Sequence, residues 1–317
     1  MSGQGEPRPA PELSGLLREL AAEDLPAVIE AARDQARVRV QSVLADALAA
    51  EMLSGASSPA PDPPTQEAGE GVYVLCVIDA TDDLPAEVRG IGGTLVRPVT
   101  QGELAAIVCD VPLAEFGEHA LREHLQDLEW LERTARAHEA ALEAIGDTAT
   151  LVPLRLCTVF HAESGVRELL HRETDRLIDA LAHLRGRQEW GVKVFAGEPP
   201  AEAAEAADSG AAYLRRRQDD RDRRANHAEA VHAAISAIHA ALSQLANDAR
   251  SNPPQRAEVS GGTMVLNGAY LVPDDRLDDF LARVAELHAE HVGLGLELEL
   301  TGPWPAYNFV PDAIGVA

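Results

Sequence analysis

The sequence predicts an α+β fold of two domains, preceded by a helical extension and a proline-rich linker. Apolar runs typical of strands alternate with long segments whose apolar residues recur every three or four positions, as in helices. A stretch rich in Pro, Ser and Gly follows the first helical segment, and 317 residues are many for one compact domain. We therefore predict an extension and linker over 1–70, an N-terminal domain over 71–198, and a C-terminal domain with long helices over a small sheet at 199–317.

The N-terminal extension is predicted to be helical over residues 12–53, where Leu13, Leu16 and Leu20 begin an apolar stripe. Residues 54–71 are too rich in Pro, Ser and Gly to build a core, which indicates a flexible or polyproline-like linker. An amphipathic helix on such a tether either docks into a partner or packs on its own protein, and both interpretations stay open.

The first domain is predicted to begin with a central strand over residues 72–79, an almost continuous apolar run. A hairpin follows, with its turn at Gln101 and Gly102. The spacing of Leu residues then predicts one helix over 118–144, which ends with Gly146 as its C-cap.

The remainder of this domain is predicted to contain an extended segment at 150–160, a helix over 164–184 and a strand at 189–197. Ser164 is the predicted N-cap of that helix. The order β-β-β-α-β-α-β predicts one sheet covered by helices, a layout related to the ferredoxin-like arrangement.

The second domain is predicted to open with a long Ala-rich helix over 201–249, which ends before the prolines at 253–254. Two strands flank Gly261 and Gly262, and a second helix begins near Pro273 and ends at His291. Leu alternates with Gly or Glu over 294–300, which predicts an edge strand with one buried face.

The net charge of −25 argues against phosphate backbones and anionic lipid as partners. The one basic run, at 215–224, is interrupted by Asp219, Asp220 and Asp222, as expected of a solvated helix face. No run approaches the roughly 20 apolar residues that cross a bilayer, and the N-terminus does not resemble a secretory signal. The three Cys residues have no CxxC spacing and suit a reducing compartment, so we expect a cytoplasmic protein.

Catalytic and metal-binding patterns are weak throughout the chain. Cys157 and His161 are close enough in sequence to suggest thiol chemistry, but Cys157 lies in an apolar run typical of a buried thiol. The sequence has no HExxH motif or cluster of His and carboxylates. We therefore predict neither an enzyme nor a cofactor, and the thiol enzyme remains a distant alternative.

Arg155 is unusual because it lies in an otherwise apolar segment that is predicted to be β-structure. A buried guanidinium without a partner is costly, so a carboxylate is expected beside it. Glu139, on the long helix that also carries His138, and Glu189, at the start of a predicted strand, are the two candidates. The predicted role of this ion pair is structural.

Four segments stand out along the chain, in the order DLEWLERTARAHEAAL, VPLRLCTVF, LRGRQEWGVKVF and TGPWPAYNFV. Together they closely resemble the signature sequences of the GvpL/GvpF family of gas vesicle proteins. The resemblance covers residues 72–317. At Cys157 the chain departs from the family, which usually has Gly in this PLRFGTVF-like stretch.

The resemblance implies two domains, the first a modified ferredoxin-like fold and the second α+β with long helices. It also implies an accessory or minor structural protein without catalytic activity or cofactor. Such a protein is expected to contact the hydrophobic major shell protein and other accessory proteins during gas vesicle nucleation and growth. A non-catalytic α+β scaffold protein of another pathway is the alternative.

Two surfaces are the predicted contact sites for these partners. One is the apolar stripe of the 201–249 helix, and the other is the C-terminal tail with Trp304, Tyr307 and Phe309. Aromatic side chains near an accessible chain end are common interface anchors. The same side chains could instead cover the protein's own core, and both interpretations stay open.

Overall fold

The structure is a computed structural model that describes residues 69–197, 210–254 and 262–311. Two antiparallel sheets with helices packed against them make up these residues, which is the α+β class that the sequence predicts. The predicted helix at 12–53 and the linker up to residue 68 lie outside the described residues, as does the predicted start of the long helix at 201–209.

The first sheet has the strand order β2-β3-β1-β4, and β5 also pairs with β1. Its central strand β1 is buried from Gly71 to Ile78, as the continuous apolar run predicts. The predicted hairpin is confirmed, because β2 and β3 pair around a turn in which Gly102 has a φ of 62°. The strands are β1 Glu70–Asp79, β2 Arg97–Gln101, β3 Leu104–Pro112, β4 Val152–Pro153 and β5 Val159–Phe160.

The helix predicted over 118–144 is two helices, α2 and α3, which follow a short helix α1. The interruption falls at Asp127, whose carboxylate accepts hydrogen bonds from the backbone N–H groups of Glu129 and Trp130 and so caps a new helix. Gly146 is the last residue of that helix and Asp147 is its C-cap, so the predicted Gly cap is wrong. The helices are α1 Leu113–Phe116, α2 Glu118–His124 and α3 Leu128–Gly146.

The segment from 150 to 184 is also more divided than predicted. The strands β4 and β5 are separated by a turn, in which the Thr158 N–H donates to the Arg155 carbonyl at 3.3 Å. Two helices follow, α4 Glu163–Arg172 and α5 Thr174–Leu184. Ser164 lies in the first turn of α4, and the N-cap is Ala162, so the prediction of a Ser cap is wrong.

The second sheet has the order β7-β8-β6-β9 and contains the strand that was predicted to complete the first sheet. Strand β6 pairs with β8 and β9, because its apolar residues match theirs in register. The elements of this sheet follow one another as β-α-β-β-α-β, whereas the order predicted for residues 71–198 was β-β-β-α-β-α-β. They are β6 Arg187–Ala196, α6 Gly210–Ser243, β7 Asp248–Asn252, β8 Thr263–Pro273, α7 Leu277–His291 and β9 Leu296–Trp304.

The long helix α6 ends at Ser243 and not at residue 249, because the next residues pair with β8 as the strand β7. The helix predicted to end at His291 and the edge strand after it are both confirmed. The predicted strand before Gly261 lies in residues 257–260, outside the described part of the chain.

Three groups of buried side chains stabilise the two sheets. One lies between β1 and helix α3, and another lies between β8, β6 and the helices α6 and α7. The third, which we call the shared core, combines β1 and β3 with helices α4 and α5, with Ala269 and Leu271 of β8, and with the chain's C-terminal residues. The shared core therefore joins the two sheets.

Candidate functional site

The C-terminal segment, residues 304–311, returns from the end of β9 to the body of the protein. A single 3-10 turn at Tyr307–Phe309 gives it shape. Ala306, Phe309 and Val310 are buried in the shared core together with residues of both sheets. The segment is the part of the chain in which most of the sequence-predicted site residues meet.

Tyr307 continues a chain of buried hydrogen bonds that crosses the protein from β1. The Tyr73 hydroxyl accepts from the Cys157 N–H at 2.9 Å and lies 3.0 Å from Nδ1 of His138. On the other side of the ring, Nε2 of His138 lies 3.0 Å from the Tyr307 hydroxyl, and that hydroxyl donates to Oε1 of Glu139 at 3.3 Å. Helix α3 and strand β1 are thereby bonded to the C-terminal segment.

One placement of protons satisfies the whole chain. The Tyr307 hydroxyl gives its proton to Glu139 and accepts from Nε2–H of His138, so that Nδ1 accepts from the Tyr73 hydroxyl. Burial lowers the pKa of His138 to about 4, and burial also raises the pKa of Tyr73 well above its usual range. The ring and the phenol are therefore both neutral at pH 7.

Asn308 bonds the segment to the second sheet. Its backbone N–H donates to Oε2 of Glu189 on β6 at 2.9 Å, and its side-chain amide donates to Oε1 of the same carboxylate. Its own Oδ1 accepts from Nδ2 of Asn252 on β7 at 3.2 Å. Glu189 is only 1% exposed, so hydrogen bonds from the tail compensate for the burial of its carboxylate.

The three aromatic residues that were predicted to contact partners differ in how deeply they are buried. Phe309 is buried, with the guanidinium of Arg250 lying 5.6 Å from its ring centroid, and is covered by its own protein. Tyr307 is partly buried in the hydrogen-bonded chain. Trp304 is partly buried at the end of β9, and its Nε1–H donates to Oγ1 of Thr301 at 3.1 Å. A role for Trp304 and Tyr307 in partner contact stays a prediction.

Arg155 does not lie within a strand as predicted, but in the turn between β4 and β5, and it is partly buried. The reason is that only two residues on each side of this turn pair with β1. The predicted ion pair of Arg155 with Glu139 or Glu189 stays a prediction. Both carboxylates accept hydrogen bonds from the C-terminal segment, which the sequence analysis did not anticipate.

The thiol of Cys157 is poorly suited to nucleophilic chemistry. Burial raises its pKa to about 12, whereas a reactive thiolate requires a lowered pKa. Within residues 69–197, 210–254 and 262–311, no three His, Cys, Asp or Glu side chains are grouped so that they could hold a metal ion. In the same ranges, no helix is both long enough and apolar enough to cross a membrane.

Cys157 has a backbone conformation that favours glycine, with a φ of +64°. We expect Cys157→Gly to be tolerated, because Gly removes the steric conflict between a Cβ atom and the backbone. Cys157→Val should be less stable than Cys157→Gly by about 2 kcal/mol, since β-branched residues are outliers in this region. Urea unfolding of both variants measures the difference in their free energies of unfolding. Equal values would contradict backbone strain at position 157.

These features define an acidic α+β protein of two antiparallel sheets that its own C-terminal segment joins. A family model described as gas vesicle synthesis protein GvpL/GvpF matches residues 71–311, and the chain belongs to this family. The resemblance of the four sequence segments is thereby confirmed.

Individual relatives agree with the family assignment. The chain is 41% identical over 249 residues to gas vesicle protein L of Streptomyces sp. (strain CB03234), covering 75% of this chain and 91% of that protein. It is 27% identical to gas vesicle protein F2 of Halobacterium salinarum, covering 77% and 94%. The crystal structure of GvpF from Anabaena sp. PCC7120 aligns with a TM-score of 0.57 at 19% identity, covering 77% of this chain and 98% of that one. That structure shows a shared fold.

Proposed function

We propose that this chain is a cytoplasmic accessory or minor structural protein of gas vesicles that binds the major shell protein and other accessory proteins during nucleation and growth. The observation that supports the proposal best is the family match over residues 71–311. The net charge of −25 is consistent with it. A strongly charged protein stays dispersed and can cover apolar surface of an unassembled shell subunit, which would otherwise aggregate.

The two-domain arrangement remains part of this proposal, with an adjusted boundary. A division between residues 198 and 199 would leave β6 apart from β8 and β9, to which it is hydrogen-bonded. We therefore place the boundary at Arg185 and Gly186, where α5 ends and a glycine with a φ of +68° turns the chain into β6.

The apolar stripe of the long helix is in part unavailable to partners. In the C-terminal half of α6, Ala234, Ile238 and Leu242 are buried against the second sheet. Nearer its N-terminus the helix is exposed on all sides, at residues Arg217–Asp219 and Arg221–Asn226. We propose that this charged half of α6 contacts accessory proteins, since charged surfaces of this kind contribute specificity and association rate.

Trp304 is the proposed contact for the shell protein. We expect Trp304→Ala, in protein that circular dichroism shows to be folded, to weaken capture of the shell protein about tenfold or more, because a few large aromatic side chains supply much of the binding free energy of many interfaces. Leu128→Ala is the matched control, since Leu128 is a large apolar side chain that is 60% exposed elsewhere. Equal loss of capture in both variants would contradict a specific contact at Trp304.

A pull-down of the tagged full chain, co-expressed with the major shell protein and the other gas vesicle accessory proteins, tests the proposed function. Recovery of shell protein that depends on Trp304 supports a role in shell nucleation. Recovery of accessory proteins alone would make the chain an assembly scaffold. Recovery of neither would contradict the proposed function.

A further inference from the structure

Helix α6 carries a stripe of side chains with alternating spacings of three and four residues. In the C-terminal half of the helix this stripe is apolar. Ile238 and Leu242 are buried against the second sheet and α7, and Val231 and Ile235 are partly buried beside them. The protein's own core therefore occupies this half of the stripe.

Towards the N-terminus the same stripe becomes basic. Steps of three, four, three and four residues lead from Val231 to Ala228, Arg224, Arg221 and Arg217, all of which are exposed. Because the spacing is unchanged, the three arginines lie on one side of the helix, within about 60° of one another. We call Arg217, Arg221 and Arg224 the arginine stripe.

The carboxylates described in this part of α6 point away from the arginine stripe. Asp219 and Asp222 lie about 200° and 140° around the helix from Arg217. Among the side chains that the structure describes, none forms an ion pair with an arginine of the stripe. The stripe therefore presents three guanidinium groups to a partner, in a chain whose net charge is −25.

The arginine stripe lies beyond the protein's own core. The first buried side chain in the described part of α6 is Ala234. At the rise of an α-helix, Arg224 lies about 15 Å and Arg217 about 25 Å further along the helix axis. A second helix can therefore lie alongside this part of α6 without displacing a core residue.

We propose that the arginine stripe binds an acidic α-helix of another gas vesicle accessory protein, an inference that rests on the contact of α6 proposed above. The three guanidinium groups span about 10 Å of helix, and carboxylates spaced three and four residues apart on a partner helix lie at the same intervals. A guanidinium pairs with a carboxylate through two parallel hydrogen bonds, which fixes the register of the two helices. Ala228 is small and exposed, so the partner can approach closely where the stripe meets the core.

Two other occupants fit the arginine stripe less well. If the same stripe of a second copy lay against it, arginines would face arginines, and like charges in neighbouring positions are destabilising. A phosphate backbone carries a charge at every nucleotide and would be repelled by a protein with a net charge of −25. A helix with a few carboxylates on one side places them against the stripe alone.

Capture of the co-expressed accessory proteins by the full chain tests the inference. Replacing all three arginines of the stripe by Gln, which keeps a high helix propensity, is expected to weaken this capture about tenfold and to leave capture of the shell protein unchanged. The matched control replaces Arg122, Arg136 and Arg167 by Gln, which changes the net charge equally. Each of these three pairs with a Glu one turn away on its own helix. The control should stay within about twofold of the wild type, and equal losses in both triple variants would overturn the inference.

The outcomes separate this inference from the proposed function. If the wild type and the variant without the arginine stripe capture accessory proteins equally well, the proposed function stands and the inference falls. If the wild type captures no gas vesicle protein, the proposed function fails, and a peptide measurement decides the inference.

A labelled synthetic peptide tests the chemistry of the arginine stripe without any gas vesicle partner. The probe is a helical, alanine-rich peptide with glutamates spaced three and four residues apart on one side, and the control peptide has the same composition with glutamates on all sides. In fluorescence anisotropy at low salt, the wild type should bind the probe about tenfold more tightly than the variant without the stripe does. The wild type should also prefer the probe to the control peptide. Equal binding of the probe by wild type and variant would overturn the inference, and so would tighter binding of a single-stranded oligonucleotide at the stripe.

Discussion

Replacing Phe309 by Ala is expected to lower the free energy of unfolding by about 3–5 kcal/mol, the usual cost of removing a buried aromatic ring from a core. Phe309 is only 4% exposed and belongs to the shared core, which also contains Leu271 of β8 and Leu181 of α5. Urea unfolding followed by circular dichroism measures the loss. Part of the effect would come from the contact between the ring and the guanidinium of Arg250.

Leu128→Ala is again the matched control, because it removes a large apolar side chain that is 60% exposed. Its effect on stability should stay within about 0.5 kcal/mol. A similarly small loss for Phe309→Ala would mean that the C-terminal segment is not part of the core in solution. The segment would then be available to partners as a whole.

Acid is expected to destabilise the protein through His138. Burial holds the pKa of His138 at about 4 in the folded state, below the 6.5 of an unperturbed histidine. As the pH falls, the unfolded chain therefore binds a proton at a higher pH than the folded protein does. The contribution of neutral His138 to the free energy of unfolding is fully present above pH 6.5 and is lost as the pH falls towards 4. The loss over this window amounts to about 3 kcal/mol.

Urea unfolding at several pH values between 4 and 7 measures this dependence. His138→Gln keeps a polar side chain between Tyr73 and Tyr307 but cannot bind a proton in this range. The difference in stability between the wild type and His138→Gln should therefore shrink or reverse with acidification, while contributions from carboxylates cancel. A difference that does not change with pH would contradict a buried, neutral His138.

Strands and turns whose pattern depends on neighbouring residues could be predicted from the sequence, whereas a break within a helix and the pairing of distant strands could not. The continuous apolar run of β1 and the hairpin turn at Gly102 each depend on neighbouring residues, and both are confirmed. The break at Asp127 was missed because the Leu spacing continues across it, although Asp before a helical run is itself an N-cap signal. Strand β6 was assigned to the wrong sheet because its partner β8 lies more than 65 residues further along the chain.

The same distinction applies to the candidate site. The aromatic residues of the tail are unusual in sequence, but their burial depends on side chains from both sheets that only the fold brings together. Glu139 and Glu189 were named only as candidate partners of Arg155, and their hydrogen bonds with Tyr307 and Asn308 could not be predicted from the sequence. His138 lies on the apolar face of α3 with Ala141 and Leu142, a position from which its burial could have been predicted.

The central claim is that the C-terminal segment joins the two sheets into one cooperative unit. Native-state hydrogen exchange in the wild type and in Phe309→Ala tests it most directly, with amides of β1 and β3 compared with those of β6 and β8. If the segment joins the sheets, exchange in both should accelerate by a similar factor, about 100-fold or more for the stability loss expected here. Acceleration confined to one sheet would contradict the claim.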